Sequence, residues 1–212
     1  MVALKPLGLA ALLLAPGSAL AGTGAASPAR LFDLHAQVIV HGDARAQAAL
    51  AAQLGTDDAP AFVAALAAAS QLDEAPELAG WPAAAQALRT RQASAQCKAD
   101  GVRWPKGHDG DVAEVAYHCR LPDLSGLLPL YRQHPVPFTG PHPPQMSVPL
   151  AAAYTAAMRN APDRVRSGTL IFQRSGDHRA WRMRDPGPLM ALVAGAFLPF
   201  FEWNEHLPDD SG

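Results

Sequence analysis

The residues of this chain best suited to chemistry are its two cysteines, its eight histidines and a cluster of arginines near the C-terminal end. Cys97 and Cys119 are an even pair without the close C-x-x-C spacing that zinc or dithiol redox sites use, so a structural disulfide is expected in an oxidising compartment. His134, His142 and Met146 share one proline-rich stretch, where imidazole and thioether could suit a copper ion. Their spacing is loose, and an exposed loop with incidental histidines is the plainer expectation; no cofactor is expected. His35 stands four residues after Leu31, close to the apolar stripe of a helix, and is expected to be a satisfied core histidine. Its sharper reading is an acid or base in a pocket.

Six arginines fall between Arg164 and Arg184. Arg182 and Arg184 alternate to one side of an expected strand, where planar guanidinium groups could grip a carboxylate or phosphate in two-pronged fashion, with Arg166 nearby. Nearby acidic residues partly neutralise them, so a solvated face is the simpler expectation. The G-x-S-x-G, S-x-x-K and H-E-x-x-H motifs, the phosphate-cradling glycine loop and the dinucleotide fingerprint are all missing. No catalytic residue is assigned.

These groups must be positioned by a helical first half and a strand-rich second half. Leu31, Leu34 and Val38 recur on one helical face, ending near His41-Gly42. Asp43 can cap a second helix running to Leu54 and stopped by Gly55; Asp57 or Asp58 can cap a third, with Phe62, Val63 and Leu66 in the core. Another helix begins near Trp81-Pro82 and runs towards Arg91. From Asp111 to Leu121 the residues alternate, with Ala113, Val115, Tyr117, Cys119 and Leu121 facing inward and Glu114, His118 and Arg120 outward. The bridge would pin the segment around Cys97 beneath this sheet. Residues 122–149 contain eight prolines and read as ordered loop, with a short helix at 124–131; a further helix runs from Pro149 to Asn160. A hairpin is expected over 168–185, with Ser175 opposite His178, Phe172 opposite Trp181 and Leu170 opposite Met183. The uncharged stretch 186–201 is too short to span a bilayer and is broken by Pro199, so a core helix capped by Asp185 is expected, with a docking surface as the alternative.

At the start, Lys5, the apolar run from Leu7 to Leu14 and Ala19-Leu20-Ala21 form the three parts of a cleavable export leader. The expected organisation is a leader over 1–21, a flexible start over 22–30 and one α+β domain over 31–212: an Ala-rich helical half packed on a small antiparallel sheet, with a C-terminal helix. Arginine outnumbers lysine as GC-rich codons dictate, so a bacterial source is expected, with the protein periplasmic or secreted after cleavage near Ala21. The formal net charge of −2 argues against a whole-chain attraction to nucleic acid.

The helix, the His41-Gly42-Asp43 break, the next helix and the antiparallel strands closing in a hairpin at Trp181-Arg182-Met183 together resemble the SnoaL-like α+β cone family. The resemblance covers about a fifth of the chain; the segment with Cys97 and the proline-rich loop depart from it. It implies a curved sheet and helices around a pocket used by isomerases, hydrolases and non-catalytic binders. With no catalytic motif, the expectation is an exported, non-enzymatic binding or interaction protein, whose partner is an envelope protein or an anionic envelope polymer. The alternatives are a small-molecule enzyme with its pocket between helices and sheet, and a periplasmic copper-binding protein.

Overall fold

A computed structural model describes residues 26–107, 110–138, 141, 143–175 and 178–206. The expected leader, His142 and the hairpin turn at Gly176-Asp177 lie outside the described residues. The chain is an α+β fold, with helices α1 (Pro28–His41), α2 (Ala44–Leu54), α3 (Ala59–Ala68) and α4 (Pro82–Gln92) preceding strands β1 (Gln96–Arg103) and β2 (Val112–Pro122). Helices α5 (Leu128–Gln133) and α6 (Val148–Asn160) follow, then strands β3 (Asp163–Ser175) and β4 (His178–Met183) and helices α7 (Gly187–Phe197) and α8 (Phe200–Glu205). The four strands form one antiparallel sheet in the order β1-β2-β3-β4.

Local chemistry sets the helix ends. Helix α1 starts at Pro28, inside the segment 22–30 expected as a flexible start: the Ser27 hydroxyl accepts from the Arg30 amide and Pro28 occupies the first turn, where its missing N–H costs nothing. Gly42 ends α1 in the left-handed region at φ 60°, and the Asp43 carboxylate accepts from the Ala46 amide at 2.7 Å to start α2. Gly42 has a second reason to be glycine: a Cβ there would meet Ser70 Oγ at 2.6 Å. The Gln92 amide nitrogen donates to the carbonyls of Val40 and Ser70 at 2.7 Å each, tying α4 to the end of α1 and to the turn after α3.

Inside the sheet, Ala113, Val115, Tyr117, Cys119 and Leu121 of β2 are buried as the alternation predicts. The other face is wet and carries the ion pair of Arg103 with Glu114 and the contact of His118 Nδ1 with the Asp100 carboxyl at 2.5 Å. Gly168 lies opposite Tyr117, and a Cβ on it would come within 2.6–2.9 Å of the phenol. The Tyr117 ring is stacked on Phe32 at 4.8 Å, so a side chain at position 168 would have to displace a packed ring, and glycine avoids this.

α1 packs across the sheet, contacting β1, β2 and β4, and Trp104, directly after β1, meets Trp181 of β4 with ring centroids 5.4 Å apart. Leu31, Phe32 and Ile39 of α1 are among the most deeply buried side chains.

Three expectations are corrected. Cys97 does not lie beneath the sheet; it is in the sheet, on edge strand β1 directly opposite Cys119, with the disulfide formed and the Cα atoms 4.0 Å apart. The hairpin register slips by two residues at an irregularity between Arg174 and Ser175, so Phe172 faces Met183 and Arg174 faces Trp181. A slip of two preserves sidedness, and Leu170, Phe172, Trp181 and Met183 are all buried. Phe62, expected in the core, is 37% exposed, whereas Val63 and Leu66 are buried.

At the C-terminal end, Leu189, Val193, Ala196 and Phe197 of α7 are buried in the core. Asp185 accepts from the Gly187 amide at 2.8 Å, and Pro199 breaks the chain between α7 and α8. Two buried tyrosines satisfy carbonyls at this break: Tyr154 donates to Phe197 and Tyr131 to Phe200, each at 2.9 Å. Among the described residues no helix is long and apolar enough to cross a membrane.

Candidate functional site

His35 occupies the inner side of α1, with no exposure to solvent and its ring edge-on to Phe172 at 6.1 Å. Its Nδ1 lies 2.7 Å from the Leu31 carbonyl. A carbonyl only accepts, so Nδ1 carries the proton and Nε2 of the neutral ring presents a lone pair. Among the described residues, no group meets that Nε2 atom. Burial, only partly opposed by the Leu31 hydrogen bond, lowers the His35 pKa from 6.5 to about 4, so the ring is neutral at pH 7. The expected satisfied core histidine is thus satisfied at one nitrogen only.

His35 is one of the residues lining a cavity of about 170 Å³ between α1, the α2–α3 connection and β4. Leu54, Ala59, Phe62 and Met183 supply its apolar wall, and His35, Thr56, Asp58 and Arg182 its polar atoms. Arg182 sits on edge strand β4. Its Nε is buried and, like His35 Nε2, has no hydrogen-bond partner among the described residues. Asp58 is exposed at the start of α3 and makes no capping hydrogen bond. The Thr56 hydroxyl and, more weakly, the Arg182 charge hold its carboxyl below the usual range. The cavity therefore combines a buried acceptor, a buried donor and a carboxylate at its mouth.

The structure divides the arginines proposed as one anion site. Arg166 lies opposite Cys119, on the helix-packed face of the sheet, and with Arg164 borders a separate groove of about 490 Å³ alongside Asp123, Ser125, Glu202 and Trp203. Ser125 and, to a smaller degree, Arg164 and Arg166 keep the Asp123 carboxyl below its ordinary range. Arg182 lines the same cavity as His35, and Arg184 is exposed past the end of β4. Alternation along β4 relates Arg182 to Arg184, but Arg166 belongs to the opposite face, and the paired register decides that. A larger groove of about 990 Å³ runs between α1 and β1; it is open, and no unpartnered buried side-chain atom borders it.

Met146 of the proposed copper set is 3% exposed, within the core, and its carbonyl accepts from the Trp81 indole at 3.1 Å. His134 follows α5 and is half-buried. Among the described residues, no three His, Cys, Asp or Glu side chains gather as a metal site would require. Sequence reasoning singled out His35 and Arg182 separately and missed Thr56, Asp58 and the mouth position of Phe62. The local signal for the last three was a polar Gly-Thr-Asp-Asp turn, which reads as a helix start.

Fold and site together define an α+β protein with a four-stranded antiparallel sheet and a small cavity of mixed polarity at one edge. Compared with known proteins, the chain matches no family model, no curated protein and no solved structure.

Proposed function

We propose that this chain is an exported bacterial protein that binds a small molecule, rather than transforming it, in the cavity between α1, α3 and β4. The observation that carries the reading is His35, a cavity-lining residue whose Nε2 is a buried acceptor without a partner among the described residues. Such a group costs about 1–3 kcal/mol unless something meets it, and a ligand hydrogen-bond donor would do so. The volume is close to that of cavities of about 150 Å³ that admit a benzene ring. A base titrating near 4 is poorly matched to proton abstraction at neutral pH, which favours recognition over an isomerase or hydrolase role for His35. An antiparallel sheet with α1 packed across it is in keeping with the SnoaL-like resemblance, whose folds serve binders as well as enzymes.

Ligand-detected NMR with a fragment library of molecules of about six to ten heavy atoms tests the cavity. Hits are expected to shift the Met183 methyl and the Thr56 amide. A library that gives no hit at these positions sinks the binding reading.

The cleavable leader and the disulfide both support an extracytoplasmic address. The full chain expressed in a bacterial host is expected in the periplasm or medium, with a mass lacking residues 1–21 and both thiols oxidised. Full-length protein retained in the cytoplasm with free thiols would overturn export.

A further inference from the structure

The polar atoms around the cavity narrow the chemistry of what it holds, an inference that rests on the binding reading above. His35 Nε2 offers a lone pair, so the group against it must bring a hydrogen; a carboxylate or phosphate oxygen there would place lone pair against lone pair. Arg182 Nε offers a hydrogen and requires an acceptor. A ligand head that both donates and accepts satisfies the two atoms together, as a hydroxyl or a carboxamide can. Charge points the same way. Arg182 carries one positive charge, Asp58 at the mouth one negative charge, and the imidazole none, so the wall has no net charge for an anion to neutralise. Alongside the polar atoms, Leu54, Phe62 and Met183 provide a surface suited to an apolar body. We infer that the cavity selects a small neutral molecule with an apolar body and a hydroxyl or carboxamide head, the head bridging His35 and Arg182.

The test uses protein recovered from the periplasm after expression of the full chain, titrated by calorimetry with four probes: phenol, benzamide, toluene and benzoate. Phenol and toluene have similar shape but differ in the hydroxyl, and benzamide and benzoate differ in charge. Phenol and benzamide are expected to bind at least about tenfold more tightly than toluene and benzoate, since each leaves fewer buried polar atoms unpaired. Phenol should also move the ¹⁵N resonance of His35 Nε2, because its hydroxyl donates there. Arg182→Met should abolish the preference of benzamide over toluene; His35→Leu should abolish that of phenol over toluene, and the Arg182 variant keeps the test decisive if the His35 variant fails to fold. Benzoate binding more tightly than benzamide would overturn the neutral class while leaving the cavity a binding site. Toluene equalling phenol would overturn recognition by the polar pair. Failure of all four probes, with fragment hits elsewhere in chemical space, would overturn this inference alone; failure of every fragment as well would remove the binding reading beneath it.

Discussion

Replacing both cysteines with alanine, in the variant Cys97→Ala, Cys119→Ala, is expected to lower the stability of the fold by about 3 kcal/mol, the chain-entropy value for a loop of this size. The bridge closes a loop with a sequence separation of 22 and joins residues directly opposite each other on β1 and β2. Alanine is the right replacement because Cys119 is fully buried and Cys97 nearly so, and a serine hydroxyl would add the cost of an unpaired polar group. Location sharpens the expectation. β1 is an edge strand, held on one side by β2 and on the other by α1, where the Asp33 carboxylate accepts from the Ala99 amide at 3.3 Å. β3 lies between two strands, and β2 between β1 and β3. Without the bridge, amides of β1 should lose hydrogen-exchange protection before those of β2 and β3. Urea unfolding measures the total, and exchange measured residue by residue locates it. An unchanged urea midpoint would show that the cross-link contributes nothing to holding the edge; uniform loss of protection would show that β1 is no weaker than the rest of the sheet.

Much of the architecture could be read locally because local chemistry specifies it. The Asp43 cap, the left-handed Gly42 and Gly55, and the period-two pattern of β2 each act within a few residues, and each is found where the sequence predicts it. β1 was missed because Gln96–Arg103 has almost no alternation to detect: Cys97 is its one buried residue, and a bulge between Ala99 and Gly101 interrupts the pairing. Phe62 was misplaced because α3 is apolar around most of its circumference, so no stripe distinguishes its inner face. The separation of Arg166 from Arg182 depends on strand pairing: the face Arg166 occupies is fixed by Cys119 across the ladder. The candidate site was legible only as parts. His35 and Arg182 were both named, but their shared cavity arises because β4 is an edge strand against the α2–α3 connection, a long-range fact with no local signature.

The fold is expected to weaken steeply as the pH falls from neutrality towards 4, with His35 as the main cause. In the unfolded chain its imidazole binds a proton near pH 6.5, whereas in the folded protein burial delays protonation to about 4. Between those values the unfolded state holds more protons, so each unit of acidification favours unfolding by about 1.4 kcal/mol. The stability that depends on a neutral His35 is fully present above about 6.5 and is lost as pH falls through the folded value near 4. From pH 7 to about 4.5 the loss should reach about 2 kcal/mol, and about 3 kcal/mol near pH 3.5. His41, half-buried at the end of α1, also has its pKa lowered, chiefly by desolvation, and contributes with the same sign. His35→Leu separates the two: leucine has nothing to protonate, so this variant should keep only the shallower dependence due to His41 and, lower still, the carboxylates. Urea unfolding of both proteins at pH 7 and at about pH 4.5 measures the difference. Parallel losses in the two would mean that His35 titrates as it does in the unfolded chain, and that its Nε2 is reached by water rather than reserved for a ligand. A bound neutral ligand donating to Nε2 would deepen the wild-type dependence, because protonation would then have to displace it, linking occupancy of the cavity to the acid stability of the fold.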